Sequence, residues 1–256
     1  MAVVVFGCTY FMAAVIYAVV VLPAKMRDLA KGFVAGMLSP MGTVFALFVA
    51  FTAAQVWADN DRAAAAVDQE ASALRAALIL AAAFPGEWQG RLETLIGNHI
   101  EEVVTTEWPM MSHRTSTLKQ VPRQLAEALS LTLALRPSTP GQEIAQRQMI
   151  TELQSALEAR RQRILISQLS VGWMKWICLL VQVVCVLVTI ALAHGRNPGA
   201  AVMAMGLFAT AAAICLLLIG AYDRPFTGQL SVRPDPLQQV MPEVSSRAGR
   251  LQMAPR

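Results

Sequence analysis

The sequence has few charged residues. Charged side chains occupy 15% of the 256 positions, hydrophobic residues occupy 55%, and the mean hydropathy is +0.49. Because a typical soluble domain carries about 25% charged residues, this composition excludes an ordinary soluble protein. The sequence therefore predicts an integral membrane protein, with the lipid bilayer as its first partner.

Long basic runs are also missing, although the formal net charge is +4. Aromatic residues do not interleave with the scattered lysines and arginines, so we expect no nucleic-acid partner. Cysteine is scarce, and all four cysteines lie in apolar stretches, where neutral thiols pack as small apolar groups. We therefore expect neither a disulfide framework nor a cysteine-based zinc site.

Histidine is rarer still, with His99, His113 and His194 far apart in the sequence. Glu102 lies one helical turn from His99, and we interpret the two as a solvated pair on a helix face, because no further metal ligand accompanies them. The sequence thus predicts no metal and no cofactor. It also lacks a nucleophile elbow, a phosphate-binding loop and a convincing pair of carboxylates, which argues against an enzyme.

Four apolar segments are each long enough, as helices, to cross about 30 Å of hydrocarbon. They cover residues 2–22, 32–57, 171–193 and 199–222. We interpret the first as a retained anchor, because no basic residue precedes it and no small-residue cleavage site follows it. The spans lack the buried Asp or Glu expected of a proton-coupled transporter.

Residues 59–170 differ from these segments, because charges are scattered through several amphipathic stretches. The predicted fold is therefore all-α, with four transmembrane helices and a helical soluble domain between the second and third. The predicted domains are a first helix pair in residues 1–58, the soluble domain in 59–170, a second helix pair in 171–222, and a polar, partly disordered tail in 223–256.

Inside the predicted soluble domain, Thr139, Pro140 and Gln142 have the spacing of an N-cap, a first helical residue and a capping box. These residues predict the start of its last helix. The sequence leaves open whether the helix after Trp57 continues the second membrane helix or starts afresh.

The distribution of basic residues near the membrane ends predicts the orientation. More of them lie on the side of the soluble domain and the tail than on the other side, and they include the cluster Arg160–Arg163. We expect that cluster to meet the membrane surface. The bias predicts that both termini and the soluble domain face the cytoplasm.

The second apolar segment has one face made of small residues spaced by three or four positions. These are Gly32, Gly36, Ser39, Thr43, Ala46, Ala50 and Ala53. The face has two interpretations: a close packing seam between helices, or a pore wall that an oligomer builds from repeated copies. Pro40 follows Ser39 and predicts a kink in this helix.

Two polar residues lie inside predicted membrane spans, Gln55 and Gln182, and we expect them to form interhelical hydrogen bonds. The last span is followed by Asp223, Arg224, Pro225 and Phe226. We interpret this motif mainly as a helix exit with a local ion pair, since proline forbids helical continuation. The alternative is that Asp223 or Arg224 lines a vestibule and contacts ions.

Three motifs carry a resemblance to a known family: "FVAFTAAQVWADNDRAAAAVDQEASAL" from Phe48, "EWPMM" from Glu107, and "DRPFTGQLSVRPDPL" from Asp223. In order and spacing they resemble the bacterial membrane family described as DUF4239, or bestrophin-like. From the residues alone, "EWPMM" predicts a helix end with Trp108 buried, and Glu107 is given no function because it lacks a second titratable partner.

The resemblance implies a four-helix membrane protein of the bacterial inner membrane and a distant kinship with bestrophin anion channels. The function predicted on this basis is an oligomeric ion channel or pore, with the second transmembrane helix near its axis and inorganic ions as its cargo. The alternative is a non-conducting membrane scaffold or sensor that acts through its soluble helical domain. An enzyme is not expected.

Overall fold

The computed structural model describes residues 2–22, 38–119, 122–194, 197–228 and 230–241, and all regular structure in these ranges is helical. The predicted all-α fold class is confirmed. Nine α-helices are described, and their bounds are α1 Ala2–Ile16, α2 Leu38–Ala81, α3 Glu87–Glu102, α4 Trp108–Ser112, α5 Arg123–Leu133, α6 Pro140–Ser167, α7 Trp173–Ala193, α8 Pro198–Tyr222 and α9 Asp235–Gln238.

Within the described ranges, four helices are long and apolar enough to cross a membrane, which confirms the four predicted transmembrane helices. They are α2, α7, α8, and α1 together with the π-helical turn Tyr17–Val21 that extends it. Asn197 caps α8, because its side chain accepts a hydrogen bond from the amide of Ala200 at 3.2 Å.

Helix α2 answers the question that the sequence leaves open at Trp57. It runs without interruption for 44 residues, so the membrane helix continues into the charged region. Its strongly apolar part ends near Trp57, and Asp59 begins the polar part. Pro40 lies in the first described turn of α2. The part of the predicted kink that precedes Leu38 falls outside the described residues.

The chain divides into two compact units. The membrane unit comprises Met1–Ala58 and Ser170–Asp223. Its core is formed by aliphatic and small residues of α7 and α8, such as Leu179, Leu187 and Ala209. Helix α1 is tied to α8 by a hydrogen bond of 2.6 Å between the hydroxyls of Tyr10 and Thr210.

The helical unit comprises Asp59–Leu169 and Arg224–Arg256. Its core is built from the apolar stripes of the second half of α2 and of α3, α5 and α6, including Leu74, Ile96, Leu125 and Leu153. These stripes pack because each amphipathic helix must bury one face.

The start of α6 follows the predicted cap with one difference. The Thr139 hydroxyl accepts a hydrogen bond from the amide of Gln142 at 3.2 Å, as an N-cap does. The Gln142 side chain does not return to Thr139, because its Oε1 accepts from the amide of Ser138 at 2.8 Å and its Nε2 donates to the carbonyl of Ala83 at 2.9 Å. Gln142 therefore joins the start of α6 to the turn after α2.

The segment after α8 differs from the predicted polar, partly disordered tail. Phe226, Leu237 and Val240 are buried in the core of the helical unit. The amide of Val232 donates to the carbonyl of Pro225 at 2.7 Å, which closes the chain into a compact loop. Residues 224–228 and 230–241 thus belong to the folded unit because they supply apolar side chains to its core; the predicted disorder of residues 242–256 lies outside the described residues.

Candidate functional site

Five ionisable side chains meet inside the helical unit and form what we call the ionic cluster: Glu70, His99, Glu107, Arg160 and Arg163. All five are buried. Glu70 comes from α2, His99 from α3, and both arginines from α6. Since ionised groups are almost never buried without partners, their contacts decide what the cluster does.

Arg163 is the centre of the ionic cluster. Its Nε donates to Glu70 Oε2 at 2.8 Å, and its Nη2 donates to Glu70 Oε1 at 3.2 Å and to Glu107 Oε2 at 3.0 Å. Its Nη1 faces the sulfur of Met111 at 3.5 Å. The guanidinium therefore bridges two carboxylates from different parts of the chain, in the forked geometry that arginine favours.

Arg160 and His99 complete the ionic cluster. Arg160 donates from Nε and Nη2 to Glu107 Oε1, at 2.8 and 2.5 Å. His99 Nε2 lies 3.1 Å from Glu70 Oε1. The two arginines and the two glutamates balance in charge, so these buried charges compensate one another without an external ion.

Electrostatic pairing outweighs burial at two of these groups, both outside the membrane-spanning segments. Burial alone would raise the pKa of the Glu70 carboxyl, but Arg163 and His99 hold that pKa below its usual range. Burial alone would lower the pKa of Arg163, but Glu70 and Glu107 raise it. Both groups therefore stay ionised at neutral pH.

Local structure explains how the sequence brings Glu107 into the cluster. After α3 the chain forms a π-helical segment, Val103–Glu107, before α4 begins. Such a segment carries one more residue per turn than an α-helix and often marks a functional site. Arg160 and Arg163 are spaced by three on α6, so both face the same side.

Aromatic rings connect the ionic cluster to the segment after α8. The Arg163 guanidinium carbon lies 5.4 Å from the centroid of the Trp108 ring, a cation–π distance. Phe226 meets the same ring edge to face, with centroids 5.5 Å apart and an interplanar angle of 86°. Members of all three motifs that carry the family resemblance, Glu70, Trp108 and Phe226, therefore lie within one contact network.

Three predictions about these residues are wrong. His99 is not half of a solvated pair with Glu102: it is buried against Glu70, because α3 turns it inward. Glu107 does have titratable partners, the two arginines of α6. Arg160 and Arg163 do not meet the membrane surface as exposed charges, since both are buried.

One sequence signal locates Arg160 and Arg163 correctly. Both lie on the same helical stripe as Leu153, Ala156 and Ile164, which are fully or almost fully buried. Arginines on an apolar stripe indicate buried acidic partners, because a buried charge is costly unless it is paired. Arg161, which lies off the stripe, is exposed and pairs with Glu158 at 3.4 Å within the same helix.

The predicted small-residue face of α2 is described from Ser39 onward, and there no other described helix covers it. Ser39, Thr43, Ala46 and Ala50 are exposed, and Ala53 is half-buried. Pro40 is exposed as well. Helix α2 instead buries Phe45, Thr52 and Val56, and Phe45 meets Phe208 edge to face at 5.3 Å. Gly32 and Gly36 lie outside the described residues.

The two membrane glutamines differ in their surroundings. Gln55 Oε1 accepts a hydrogen bond of 2.5 Å from Lys175 Nζ, which links α2 to α7. Gln182 has a buried Oε1 for which no hydrogen-bond donor is present among the described residues. The structure therefore gives one of the two predicted interhelical bonds.

The four residues of the helix-exit motif differ in their contacts and burial. The Asp223 carboxylate accepts from the amide of Val171 at 2.5 Å, just before α7 begins. Arg224 is exposed, and among the described residues the two form no ion pair with each other. Pro225 and Phe226 are buried.

The family model described as the bestrophin-like domain matches residues 7–237. No curated protein matches the chain.

Solved structures show the same fold at low identity. A bacterial bestrophin homologue from Klebsiella pneumoniae is similar with a TM-score of 0.71 and 12% identity, over 97% of this chain and 99% of that chain. A mutated form of that homologue gives a TM-score of 0.72 at 12% identity, over 94% and 97%. A membrane protein solved as a point variant gives 0.73 at 12% identity, over 95% and 98%.

Proposed function

Because the chain belongs to the bestrophin-like family, we propose that this membrane protein is an oligomeric ion channel. Several copies of the chain surround the pore, and α2 lies near the axis. The proposed setting is the bacterial inner membrane, with the helical unit and both termini in the cytoplasm. The cargo is a small inorganic ion.

One observation carries the proposal: the small-residue face of α2 is largely exposed where the structure describes it. Ser39, Thr43, Ala46 and Ala50 are exposed, whereas Phe45 and Val56 on other sides of the helix are buried in the membrane unit. Lipid does not need small residues, because it accepts large apolar side chains equally well. A face kept small and uncovered fits close approach of neighbouring copies or the wall of a narrow pore.

The ionic cluster supports a structural role rather than an ion pathway. Glu70 and Arg163 are fully buried and each already meets an opposite charge. An ion passing through a protein needs groups that it can contact and leave. We infer that the cluster holds the helical unit together and fixes the segment after α8 against it.

The test is an ion-flux measurement on purified protein in liposomes, together with images of the particle in detergent. We expect ring-shaped particles and a flux of anions or cations that empty liposomes do not show. Ring-shaped particles that pass neither kind of ion at any membrane potential or pH would instead favour the non-conducting scaffold. Single copies in detergent that also fail to conduct would contradict the oligomeric proposal itself.

A further inference from the structure

A surface cavity of about 420 Å³ lies in the helical unit, away from the ionic cluster. We call it the Trp88 cavity. It lies where the turn after α2, the start of α3 and the loop between α5 and α6 come together, and its walls include Phe84, Pro85, Trp88, Leu135 and Arg136. Its volume falls within the range of about 300–1,000 Å³ that is typical of small-molecule sites.

The apolar part of the Trp88 cavity is formed by rings and aliphatic side chains. Phe84 is buried, whereas Trp88 remains exposed enough to present its indole to a ligand. A narrow apolar recess of about 10 Å³ adjoins the cavity and shares Phe84, Trp88 and Leu135 with it. Flat apolar groups stack well on such a surface.

The polar part of the Trp88 cavity has one free charge. Arg136 is exposed, and no carboxylate among the described residues forms an ion pair with it. The walls contain no acidic residue. The charge at this cavity is therefore a single guanidinium, which complements one carboxylate through paired N–H donors.

The other polar side chains in the wall of the Trp88 cavity, Ser138 and Gln142, form hydrogen bonds within the protein. The Ser138 hydroxyl donates to Gln142 Oε1 at 2.8 Å, and Gln142 Nε2 donates to the carbonyl of Ala83 at 2.9 Å. These bonds fix the wall and leave Arg136 as the group that is free to pair with a ligand. A fixed wall keeps the cavity open without a ligand, which lowers the cost of binding.

We propose that the Trp88 cavity binds a small organic monocarboxylate with a flat apolar body. The carboxylate pairs with Arg136, and the body lies against Trp88 and Phe84. A monocarboxylate fits better than a phosphate ester, because one guanidinium balances one charge. The proposal does not depend on ion conduction, so its failure would leave the channel proposal untouched.

Binding of benzoate to the purified full-length protein tests the proposal, with benzamide as the neutral analogue and phenyl phosphate as the dianion. Titration calorimetry or ligand-observed NMR should show saturable benzoate binding that is tighter than the binding of either analogue. Arg136→Gln should weaken benzoate binding by about tenfold or more, because a hydrogen-bonded charge pair is lost. Trp88→Phe should weaken it less than Trp88→Ala, with no change in thermal midpoint for Trp88→Phe.

Arg91→Gln is the matched control, because Arg91 is exposed on α3 and outside the walls of the cavity. It should bind benzoate as the unchanged protein does. Absence of saturable benzoate binding, unchanged binding in Arg136→Gln, equal losses in Arg91→Gln and Arg136→Gln, or tighter binding of phenyl phosphate would each overturn the assignment.

Discussion

Arg163 is the residue on which the ionic cluster depends most, since it contacts both Glu70 and Glu107. Arg163→Met would leave Glu70 buried beside His99 without its cationic partner. Breaking a buried ion pair by removing one partner costs about 3–5 kcal/mol. We expect the thermal midpoint of the purified protein to fall by about 10 °C.

Arg161→Met provides the control, because Arg161 is two residues away and its pair with Glu158 is exposed. Exposed pairs contribute about 0–1 kcal/mol, so the thermal midpoint should change little. Equal losses in the two variants would show that burial of the Arg163 pair is not what stabilises the unit.

The Glu70 carboxyl predicts how stability depends on acid. Its pKa is lowered in the folded protein from an ordinary value of 4.5. A lowered pKa contributes stability in full above the unfolded-chain value, and the contribution is lost as the pH falls from 4.5 through the lower folded value. Thermal melts at a series of pH values should therefore show a steep loss of stability below pH 4.5.

Glu70→Gln should flatten this loss, because the group that takes up the proton is gone. Glu143→Gln is the matched control, since Glu143 pairs with Arg147 on the exposed surface of α6. It should keep the steep acid dependence. An unchanged slope in Glu70→Gln would mean that other carboxyls carry the acid sensitivity.

Among the elements, the segment after α8 is held in the core of the helical unit by Phe226 together with Leu237 and Val240. Phe226 is 4% exposed and packs on Trp108, which in turn lies under Arg163. Phe226→Ala should cost about 3–5 kcal/mol, as truncation of buried phenylalanine does. We expect a lower thermal midpoint and new protease cleavage between residues 224 and 241.

Leu230→Ala tests the same segment without removing a buried side chain, because Leu230 is 53% exposed. It should leave both the thermal midpoint and the cleavage pattern close to those of the unchanged protein. Cleavage in both variants, with no difference in stability, would mean that Phe226 does not fix the segment.

Helix α2 carries the prediction that separates a pore wall from a packing seam. Ala50→Leu adds bulk to the exposed small face. In a seam it should weaken assembly or lower the thermal midpoint, because overpacking costs about 1–3 kcal/mol. In a pore it should leave the oligomer intact and reduce ion flux by adding a dry constriction.

Two further variants of α2 complete this test. Ser39→Ala should change ion selectivity with little change in stability if its hydroxyl faces the pore. Val44→Leu, on another exposed side of α2, should resemble the unchanged protein. Wild-type stability and flux in Ala50→Leu would mean that the small face simply meets lipid.

At the scale of the whole molecule, the predicted orientation is open to cysteine labelling in intact cells. In a background without the four native cysteines, a cysteine at Ser138 should react with a membrane-impermeant reagent only after lysis. A cysteine at Gly199, in the first turn of α8, should react from outside. The reverse pattern would place the helical unit outside the cell.

The sequence predicts the architecture better than the ionic cluster, for a physical reason. Membrane segments are long apolar runs, and a run such as 171–193 is visible without knowledge of its neighbours. The cluster instead depends on contacts between residues far apart in the chain, such as Glu70 with Arg163. The sequence next to Glu70 or Arg163 does not identify the partner of either residue. Two arginines on an apolar stripe indicate only that buried acidic partners must exist.

The folded segment after α8 was also not predictable from the sequence alone. Residues 223–256 are polar on average, and this composition predicts a disordered tail. Burial of Phe226, Leu237 and Val240 depends instead on where the chain folds back. Spaced apolar residues in a polar stretch are visible in the sequence. That these residues are buried in one core follows only from the structure, in which the helical unit provides the surface against which they pack.

The π-helical segment Val103–Glu107 lets the chain between α3 and α4 differ in length by one residue without loss of the ionic cluster. A π turn is in effect an α-helix with one residue inserted, and the wide turn takes up that residue locally. Deleting Thr105 would therefore restore an ordinary helical path that runs in nearly the same direction, and Glu107 would still face Arg160 and Arg163. Deleting a second residue would turn Glu107 by about 100° away from them. Relatives that keep both arginines and this glutamate should therefore differ by one residue between positions 103 and 107, but not by two.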